Sequence, residues 1–410
     1  MRFLPPRRWF QFRLRTLLVV VGVCAPVFGW FANGIDKVRR QRAAIKELET
    51  FQIEIEVQAA GPAWLQTILG DNRLVTAHTV VPYRPWCGNE IMNGPAFSAA
   101  QLPLLDDLIG IESLDLGWLD INDAGLEHVV GHASLVELRL CGITERGPHW
   151  RQLAACTNLH TLALSKTNIS DGDLAALGSL SRLRTLYLID TRVTGEGLKA
   201  LAQRGSIEEL SISDRVNGAG LRQIGGLTGL RVLSIRSNAI TDGDLAALNN
   251  LQHIERLDIT SLRIAGSGLR HLGGLPQLKS LSLEGVPLEG NCLKHVGELP
   301  ALEALLIDTT FVNDNLLHHL PHLPRLMELS LNGSVVSDEG LAQLALKLPA
   351  LRHLEVNGSH VTSAGLVHLL SFPSLDVVTL YGTRTTHLVV ERVRVEARQR
   401  GRSLTIEIDE

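Results

Sequence analysis

Cysteine and aromatic residues are scarce in this chain of 410 residues, and both shortages restrict its architecture. Aromatic side chains account for only 4% of the sequence, so the core must be built mainly from aliphatic side chains. The cysteines are scattered, odd in number and without a Cys-x-x-Cys pair: Cys24, Cys87, Cys141, Cys156 and Cys292. Such a set argues against a disulfide framework and against a zinc site.

Positive charge is scarce beyond residue 49. Residues 1–49 contain ten basic and three acidic residues, whereas residues 50–410 contain 29 basic and 40 acidic ones. An acidic body repels phosphate groups, so the sequence predicts no nucleic-acid partner. Hydrophobic residues make up 45% and charged residues 20% of the chain. This composition excludes intrinsic disorder.

The sequence motifs of catalysis are also missing. The chain has no Gly-x-Ser-x-Gly elbow, no His-Glu-x-x-His motif, no P-loop and no Gly-x-Gly-x-x-Gly after a strand. Cys141 follows a predicted strand, and Cys156 takes the place of a repeated leucine. We interpret both cysteines as packing residues. The sequence therefore predicts neither enzymatic activity nor a cofactor.

One long uncharged run lies near the N-terminus. Residues 16–35 contain no charged side chain, and twenty helical residues span about 30 Å, the thickness of a bilayer core. We predict a transmembrane helix over residues 16–35, between a basic tail over residues 1–15 and a basic juxtamembrane linker over residues 36–49. The protein is then a single-pass membrane protein.

A cleaved signal peptide is the alternative for this segment, because residues 32–34 (Ala-Asn-Gly) form an acceptable cleavage site. Orientation is open, since five basic residues precede the run and five follow it. The short leading tail favours an inside N-terminus, which places the body on the extracytoplasmic side.

A repeat begins near residue 108. The pattern Leu-x-Leu recurs from Leu114 to Val378 in eleven steps, with a mean period of 24 residues. Its members are Leu114/Leu116, Leu138/Leu140, Leu162/Leu164, Leu186/Leu188, Leu210/Ile212, Leu233/Ile235, Leu257/Ile259, Leu281/Leu283, Leu305/Ile307, Leu329/Leu331, Leu354/Val356 and Val378/Leu380. Alternation of period two predicts a short strand in each unit, with the leucines facing inward.

The second half of each unit predicts a turn and a short helix. Residues 169–174 (Ile-Ser-Asp-Gly-Asp-Leu) recur as residues 240–245 (Ile-Thr-Asp-Gly-Asp-Leu). The Ser or Thr is a good N-cap, and the Asp that follows favours the positive end of the helix. Leucines three residues apart, such as Leu174 and Leu177, then face the core.

This pattern resembles the leucine-rich-repeat family, and in particular bacterial membrane-anchored proteins with 24-residue repeats. The resemblance implies an α/β solenoid with a curved parallel sheet on its concave face and short helices on its convex face. About twelve repeats occupy residues 108–385. Residues 50–107 are predicted to form an N-terminal cap with a degenerate repeat, and residues 386–410 a C-terminal cap.

Histidines recur at one helical position of the repeat: His128, His271, His295, His319 and His368. A metal ion needs its ligands about 3–3.5 Å apart, whereas helices of neighbouring repeats pack 8–10 Å apart with parallel side chains. We interpret these histidines as surface residues of the repeat and predict no metal site.

The remaining candidate surface is the concave face. Binding hot spots favour Trp, Tyr and Arg, and the candidates on or beside this face are Trp118, Arg139, Tyr187, Arg236 and Asp258. We predict a non-enzymatic, membrane-anchored protein that binds an unknown protein partner there. The alternatives are a receptor for a small molecule or a glycan, the substrate-recognition subunit of a ubiquitin-ligase-like complex, and an enzyme.

Overall fold

The computed structural model describes residues 36–51, 53–59, 75–82, 97–119, 121–143, 149–202, 206–309 and 311–409. The chain divides into two compact units, Met1–Asp115 and Leu116–Glu410. The predicted basic tail and transmembrane helix, residues 1–35, lie outside the described residues. Within the described ranges, no helix is both long enough and apolar enough to cross a bilayer.

The described part of the first unit begins with a helix over residues 36–49, where the sequence suggested a linker. The helix turns Gln41, Ala44 and Leu48 to one side, and all three are buried. Their spacing of three and four residues is that of an amphipathic helix. Arg40 forms ion pairs with Asp36 at 3.2 Å and with Asp107 at 3.6 Å. The sequence suggested a linker and not a helix because basic residues are the most frequent charged residues of this segment, and they drew attention away from the spacing of its apolar residues.

Three strands and a 3₁₀ helix make up the rest of the first unit as far as the structure describes it. Strand β1, Ile53–Ala59, pairs antiparallel with β2, Val75–Pro82. Strand β3, Ser113–Asp115, lies parallel to β2. A 3₁₀ helix, Ala99–Asp107, precedes β3 and is capped by Ser98.

The described part of the second unit contains a parallel sheet of twelve strands in chain order. Each strand pairs with the next so that equivalent leucines lie side by side, as Leu162 does with Leu186. The strands are β4 Glu137–Arg139, β5 Thr161–Ala163, β6 Thr185–Leu188, β7 Glu209–Ser213, β8 Val232–Arg236, β9 Arg256–Thr260, β10 Ser280–Glu284, β11 Ala304–Leu306, β12 Glu328–Ser330, β13 His353–Glu355, β14 Val377–Thr379 and β15 Thr405–Glu407.

Short helices return the chain from one strand to the next. Some are α-helices: Asp123–Val130, Asp171–Ala176, Leu198–Ala202, Gly218–Ile224, Asp314–His318 and Asp338–Lys347. Others are 3₁₀ helices: Trp150–Ala155, Leu177–Ser179, Asp242–Asn250, Ser267–Gly274, Cys292–Glu298 and Gly365–Ser371. The core lies between these helices and the sheet, where Leu162, Leu174 and Leu177 have no exposed surface.

Aspartates at the helix starts connect consecutive repeats. The Asp171 carboxylate accepts hydrogen bonds from the Thr194 backbone N–H at 3.1 Å, the Thr194 hydroxyl at 2.7 Å and the Gly197 N–H at 3.0 Å. Asp242, Asp314 and Asp338 bind the following repeat in the same way. The sequence assigned Asp171 and Asp242 to their own helix ends, so the hydrogen bonds that these two residues accept from the following repeat are an addition to that interpretation.

The second unit ends in a helix, His387–Gln399, followed by β15. The helix buries Val390, Val393 and Ala397, and β15 pairs in parallel with β14. The Arg402 guanidinium donates to the Leu370 and Leu375 carbonyl oxygens at 3.2 and 3.1 Å. These contacts cover the last repeat.

Candidate functional site

The outward side chains of β4–β15 form one surface, called the strand face below. They alternate with the buried leucines because successive side chains of a strand point to opposite sides. The central column of the strand face runs one residue per strand: Arg139, Ala163, Tyr187, Ser211, Ser234, Asp258, Ser282, Leu306, Ser330, Glu355, Thr379 and Glu407. Three of the predicted residues, Arg139, Tyr187 and Asp258, are therefore in one column.

Arg139 and Tyr187 are each held by a glutamate of the strand face. The Arg139 guanidinium pairs with Glu137 at 2.7 Å, and the Tyr187 hydroxyl donates to a Glu209 carboxylate oxygen at 2.7 Å. Burial, together with the Glu209 hydrogen bond, raises the pKa of Tyr187 to about 12. Sequence reasoning missed both glutamates, although each occupies the outward position two residues before a central-column residue.

Asp258 and Arg236 lie farther along the strand face. The Arg256 Nε donates to an Asp258 carboxylate oxygen at 3.0 Å, which orients the acid. Arg236 ends β8 and is exposed. It belongs to the column next to that of Asp258, on the side where the strands end.

Trp118 lies outside the strands, at a turn, and the residue is 56% exposed. Its ring occupies the space above Gly142, where an added Cβ would approach the ring Cδ2 to 2.6 Å. The Lys166 Nζ lies 5.0 Å from the ring centroid, a cation–π geometry. The sequence pointed to Trp118 but not to Lys166.

The backbone at Trp118 is left-handed, and the same position is left-handed in other repeats. This position, two residues after the second strand leucine, is called the left-handed column. Its members are Trp118, Gly142, Lys166, Asp190, Gly285, Gly333, Gly358 and Gly382, with φ between 57° and 82°. The Gly142 N–H donates to the Ser165 carbonyl at 2.9 Å, and the Lys166 N–H to the Ile189 carbonyl at 2.7 Å. Bonds between repeats thus hold the conformation whether or not glycine is present.

A polar cavity of about 300 Å³ opens where β5, β6 and β7 end. It is lined by Thr167, Asn168, Asp190, Thr191, Arg192, Ser213, Asp214 and Arg215. Asp190, Arg192, Asp214 and Arg215 are exposed. Sequence reasoning missed these residues because the turns vary in composition from repeat to repeat.

The opposite ends of the strands carry alternating charges that are already paired. Arg184 pairs with Glu208, and Glu255 lies between Arg231 and Lys279, with the Lys279 Nζ at 2.9 Å. Hydrogen bonds from Lys279 and Arg231 lower the pKa of Glu255. Because these side chains are already paired with each other, this part of the surface offers a partner few unpaired charges.

A polar network covers the strand face near β11–β13. The Ser330 hydroxyl donates to Asp308 at 2.6 Å, and the Asn332 Nδ2 donates to Glu355 at 2.8 Å. Farther on, the Tyr381 hydroxyl donates to Glu407 at 2.9 Å. Acidic side chains dominate this end of the surface.

No group of three or more His, Cys, Asp or Glu side chains could hold a metal ion among the residues that the structure describes. The recurrent histidines are partly exposed on the helices, and His295 contacts Glu298 at 2.8 Å. Cys156 and Cys292 are buried, and burial raises the pKa of Cys156 to about 11. A thiol with a raised pKa is a poor nucleophile at neutral pH.

Comparison with known proteins matches one segment of the repeat region to a known repeat family. A sequence profile for the leucine-rich repeat matches residues 155–178, while no curated protein matches the chain. One similar solved structure is an internalin from Listeria monocytogenes, 17% identical over 78% of this chain and 92% of the internalin, with a TM-score of 0.47. A leucine-rich-repeat protein from Leptospira interrogans is 16% identical over 75% and 85% of the chains, with a TM-score of 0.43. A plant peptide hormone receptor is 17% identical over 73% and 48%, with a TM-score of 0.40.

Proposed function

We propose a protein-binding function for this chain, which is a leucine-rich-repeat protein. The partner binds on the strand face, and the protein acts without catalysing a reaction. The observation that carries the proposal is the cluster formed by Arg139 and Tyr187 with their glutamates. Aromatic and arginine side chains that are already oriented lose little conformational entropy on binding, which makes them suitable hot spots.

Repeat architecture supports the same function. Solenoid proteins present an extended surface whose side chains vary independently of the core. Here the leucines of each strand are buried, whereas the central column includes basic, aromatic, small, acidic and apolar residues. A surface of this variety suits recognition of one particular partner.

The proposal includes membrane anchoring through residues 16–35, with the body on the extracytoplasmic side. The span is supported by the twenty-residue uncharged run, and the orientation by the short tail that precedes it. N-terminal sequencing of the purified protein tests the anchor. A chain that starts at Ile35 indicates a cleaved signal peptide and overturns it.

The strand face is tested by cross-linking in native membranes followed by mass spectrometry, with Arg139→Ala and Tyr187→Ala beside the wild-type chain. We expect both variants to lose the partner cross-linked to the wild type. Arg222→Ala is the matched control, because Arg222 is an exposed arginine on the helical side. Equal cross-linking by all variants, at equal melting temperatures, would remove the strand face from the binding site.

A further inference from the structure

The left-handed column contains an irregularity with a functional meaning. In most repeats where this position is left-handed, the residue is glycine, which adopts positive φ without steric cost. Within the described ranges, the non-glycine residues with positive φ are Trp118, Lys166 and Asp190. The conformation is unfavourable for Trp118 and Lys166, and less so for Asp190, because aspartate adopts the left-handed region more readily than most residues. The chain therefore keeps three strained positions that glycine would relieve.

These strained positions are neighbours. They belong to consecutive repeats together with Gly142, whose missing side chain leaves room for the Trp118 ring. The Lys166 ammonium then lies over the same ring. Backbone strain that persists in one cluster is a mark of functional sites, where a particular side chain is needed.

Charges beside this cluster are available to a partner. Lys166, Arg192, Arg215 and Arg236 are exposed at the ends of β5–β8. No ion pair joins any of them to another residue that the structure describes. Their acidic neighbours among the described residues, Asp190 and Asp214, make no such pair either, so the described cations of this edge outnumber its described acids four to two. At the opposite ends of the strands the charges are paired, so the two edges of the sheet differ in the charge that they offer to a partner.

We propose that the strand-end patch, formed by Trp118, Lys166, Arg192, Arg215 and Arg236, binds an extended acidic segment of the protein partner. An apolar side chain of the segment contacts the part of Trp118 that Gly142 and Lys166 leave exposed, and the carboxylates of the segment pair with the cations. Strands lie about 4.8 Å apart, so the cations at the ends of β5 to β8 span roughly 14 Å, the length of about four extended residues. Trp118 lies two repeats before Lys166, so a segment that also reaches Trp118 spans roughly 24 Å, or about seven residues. The proposal rests on the protein-binding function proposed above and names the chemistry of the partner.

Residues 50–410 carry more acidic than basic side chains, so an acidic segment can bind only where cations are concentrated, as they are in the strand-end patch. An acidic protein repels an acidic segment at long range, and the attraction is limited to the patch by ionic screening. Asp190 and Asp214 accept hydrogen bonds from backbone N–H groups of the segment, which gives them a role that glycine cannot fill.

Glycine substitutions separate strain from function. Lys166→Gly and Asp190→Gly relieve positive φ, so each is expected to raise the melting temperature by roughly 1–3 °C. Both weaken binding of the acidic segment. Lys166→Ala removes the charge without relieving the strain, so it weakens binding and leaves the melting temperature no higher. A lower melting temperature in both glycine variants would overturn the argument from strain.

The reciprocal control is Gly333→Lys, at the equivalent left-handed position of a later repeat. No atom lies within 4 Å of a Cβ built there, so the substitution introduces strain without a clash. We expect it to lower the melting temperature and to leave binding unchanged. Because it adds a cation outside the patch, stronger binding of the acidic segment would show that general positive charge, and not the patch, attracts it.

The binding probe is a library of random linear peptides displayed on phage and selected on the detergent-solubilised full chain. Enriched peptides should contain Asp or Glu beside an apolar residue. A synthetic copy with Gln and Asn in place of the acids should bind roughly tenfold more weakly in calorimetry. Arg192→Ala and Trp118→Ala should cause a similar loss with the acidic peptide.

The outcomes distinguish the two proposals. Peptides without acids, peptides insensitive to the patch variants, or no binding peptide at all would overturn the acidic-segment proposal. The strand-face function is decided separately by the cross-linking of Arg139→Ala and Tyr187→Ala. If these variants lose the partner while the patch variants keep it, protein binding stands and the patch proposal fails.

Discussion

Asp171 shows how one side chain serves two repeats. It is the first residue of its own helix, where a carboxylate is favoured by the helix dipole. Its oxygens also accept three hydrogen bonds from Thr194 and Gly197 of the following repeat. A carboxylate can do both because each oxygen accepts more than one hydrogen bond.

Replacing Asp171 should therefore destabilise the fold more than a helix cap alone would. We expect Asp171→Ala to lower the free energy of unfolding by about 1–3 kcal/mol, since partly buried N–H groups lose a charged acceptor. Urea unfolding followed by circular dichroism measures the change. Glu196→Ala, an exposed glutamate of the next repeat, is the control and should be close to neutral. Equal stability of both variants would contradict the role of the bridging hydrogen bonds.

We expect the Tyr187 hydroxyl to lose its proton at a higher pH than an ordinary tyrosine. Its pKa is raised from 10.0 to about 12 by burial and by the hydrogen bond to Glu209. The folded state favours the neutral phenol, so its contribution to stability is complete below pH 10 and is lost as the pH rises towards about 12. The difference in tyrosinate absorbance between wild type and Tyr187→Phe measures the midpoint.

Glu209→Gln provides the matched test of the cause. With the negative charge removed, the pKa of Tyr187 should fall part of the way towards its ordinary value, because the charge of Glu209 favours the protonated phenol while the glutamine oxygen can still accept the hydrogen bond. An unchanged midpoint would show that burial and the hydrogen bond, and not the charge, hold the proton.

At the scale of elements, the helix starts of consecutive repeats lie close together. A residue at or just before one helix start faces a residue about 26 positions farther along the chain, and at least one member of each pair is glycine. The contacts join Asp171 with Gly197, Gly195 with Gly220, Gly218 with Asp244, Asp242 with Gly268, Gly266 with Cys292, Asp314 with Gly340 and Asp338 with Gly365. These close contacts fix the spacing between helices.

Two glycines of the same kind of turn should respond oppositely to alanine. In Gly197→Ala the new Cβ would lie 2.7 Å from the Asp171 carbonyl oxygen, so we expect a loss of about 1–3 kcal/mol. In Gly243→Ala no atom lies within 4 Å, and reduced freedom of the unfolded chain should stabilise by about 0.4–1 kcal/mol. Chemical unfolding of both variants checks the pair. Equal effects would show that helix propensity, and not the facing repeat, decides the choice of glycine.

Strand positions follow from the sequence, whereas contacts between repeats do not. Leucines two residues apart must share a side of a strand, so Leu162 and Leu164 predict the buried side directly. The alternation of Leu404 and Ile406 likewise indicates a strand, which the structure has at β15. From the sequence alone, Asp171 is interpreted as a helix cap. A carboxylate that also accepts hydrogen bonds from the following repeat has no sequence pattern of its own, so these bonds were not predicted.

The candidate surface was predictable in part for a similar reason. The outward positions of Arg139, Tyr187 and Asp258 follow from the register of the leucines. Lys166 was not found, because its position depends on a left-handed backbone that only an enrichment in glycine reveals. The glycines at positions 142 and 333 show this enrichment. A comparison of equivalent turns therefore indicates that Lys166 is an exception at its position.

At the scale of the whole molecule, the last repeat depends on the C-terminal cap. Without it, β14 would present unpaired backbone groups, and an exposed strand edge promotes aggregation. Deleting residues 386–410 should therefore lower the melting temperature and produce aggregates in size-exclusion chromatography. Leu346→Ala, an 82% exposed side chain outside the cap, is the control. A monomeric deletion variant that melts at the wild-type temperature would contradict this role.

Trp118 and Trp150 give the molecule two separate fluorescence signals. The chain has six tryptophans, of which Trp118 is 56% exposed beneath the Lys166 ammonium and Trp150 is 2% exposed. With the remaining four replaced by phenylalanine, red-shifted emission belongs to Trp118 and blue-shifted emission to Trp150. Occupation of the patch then shifts only the first signal, whereas unfolding shifts the second, so one titration distinguishes a bound chain from a damaged one.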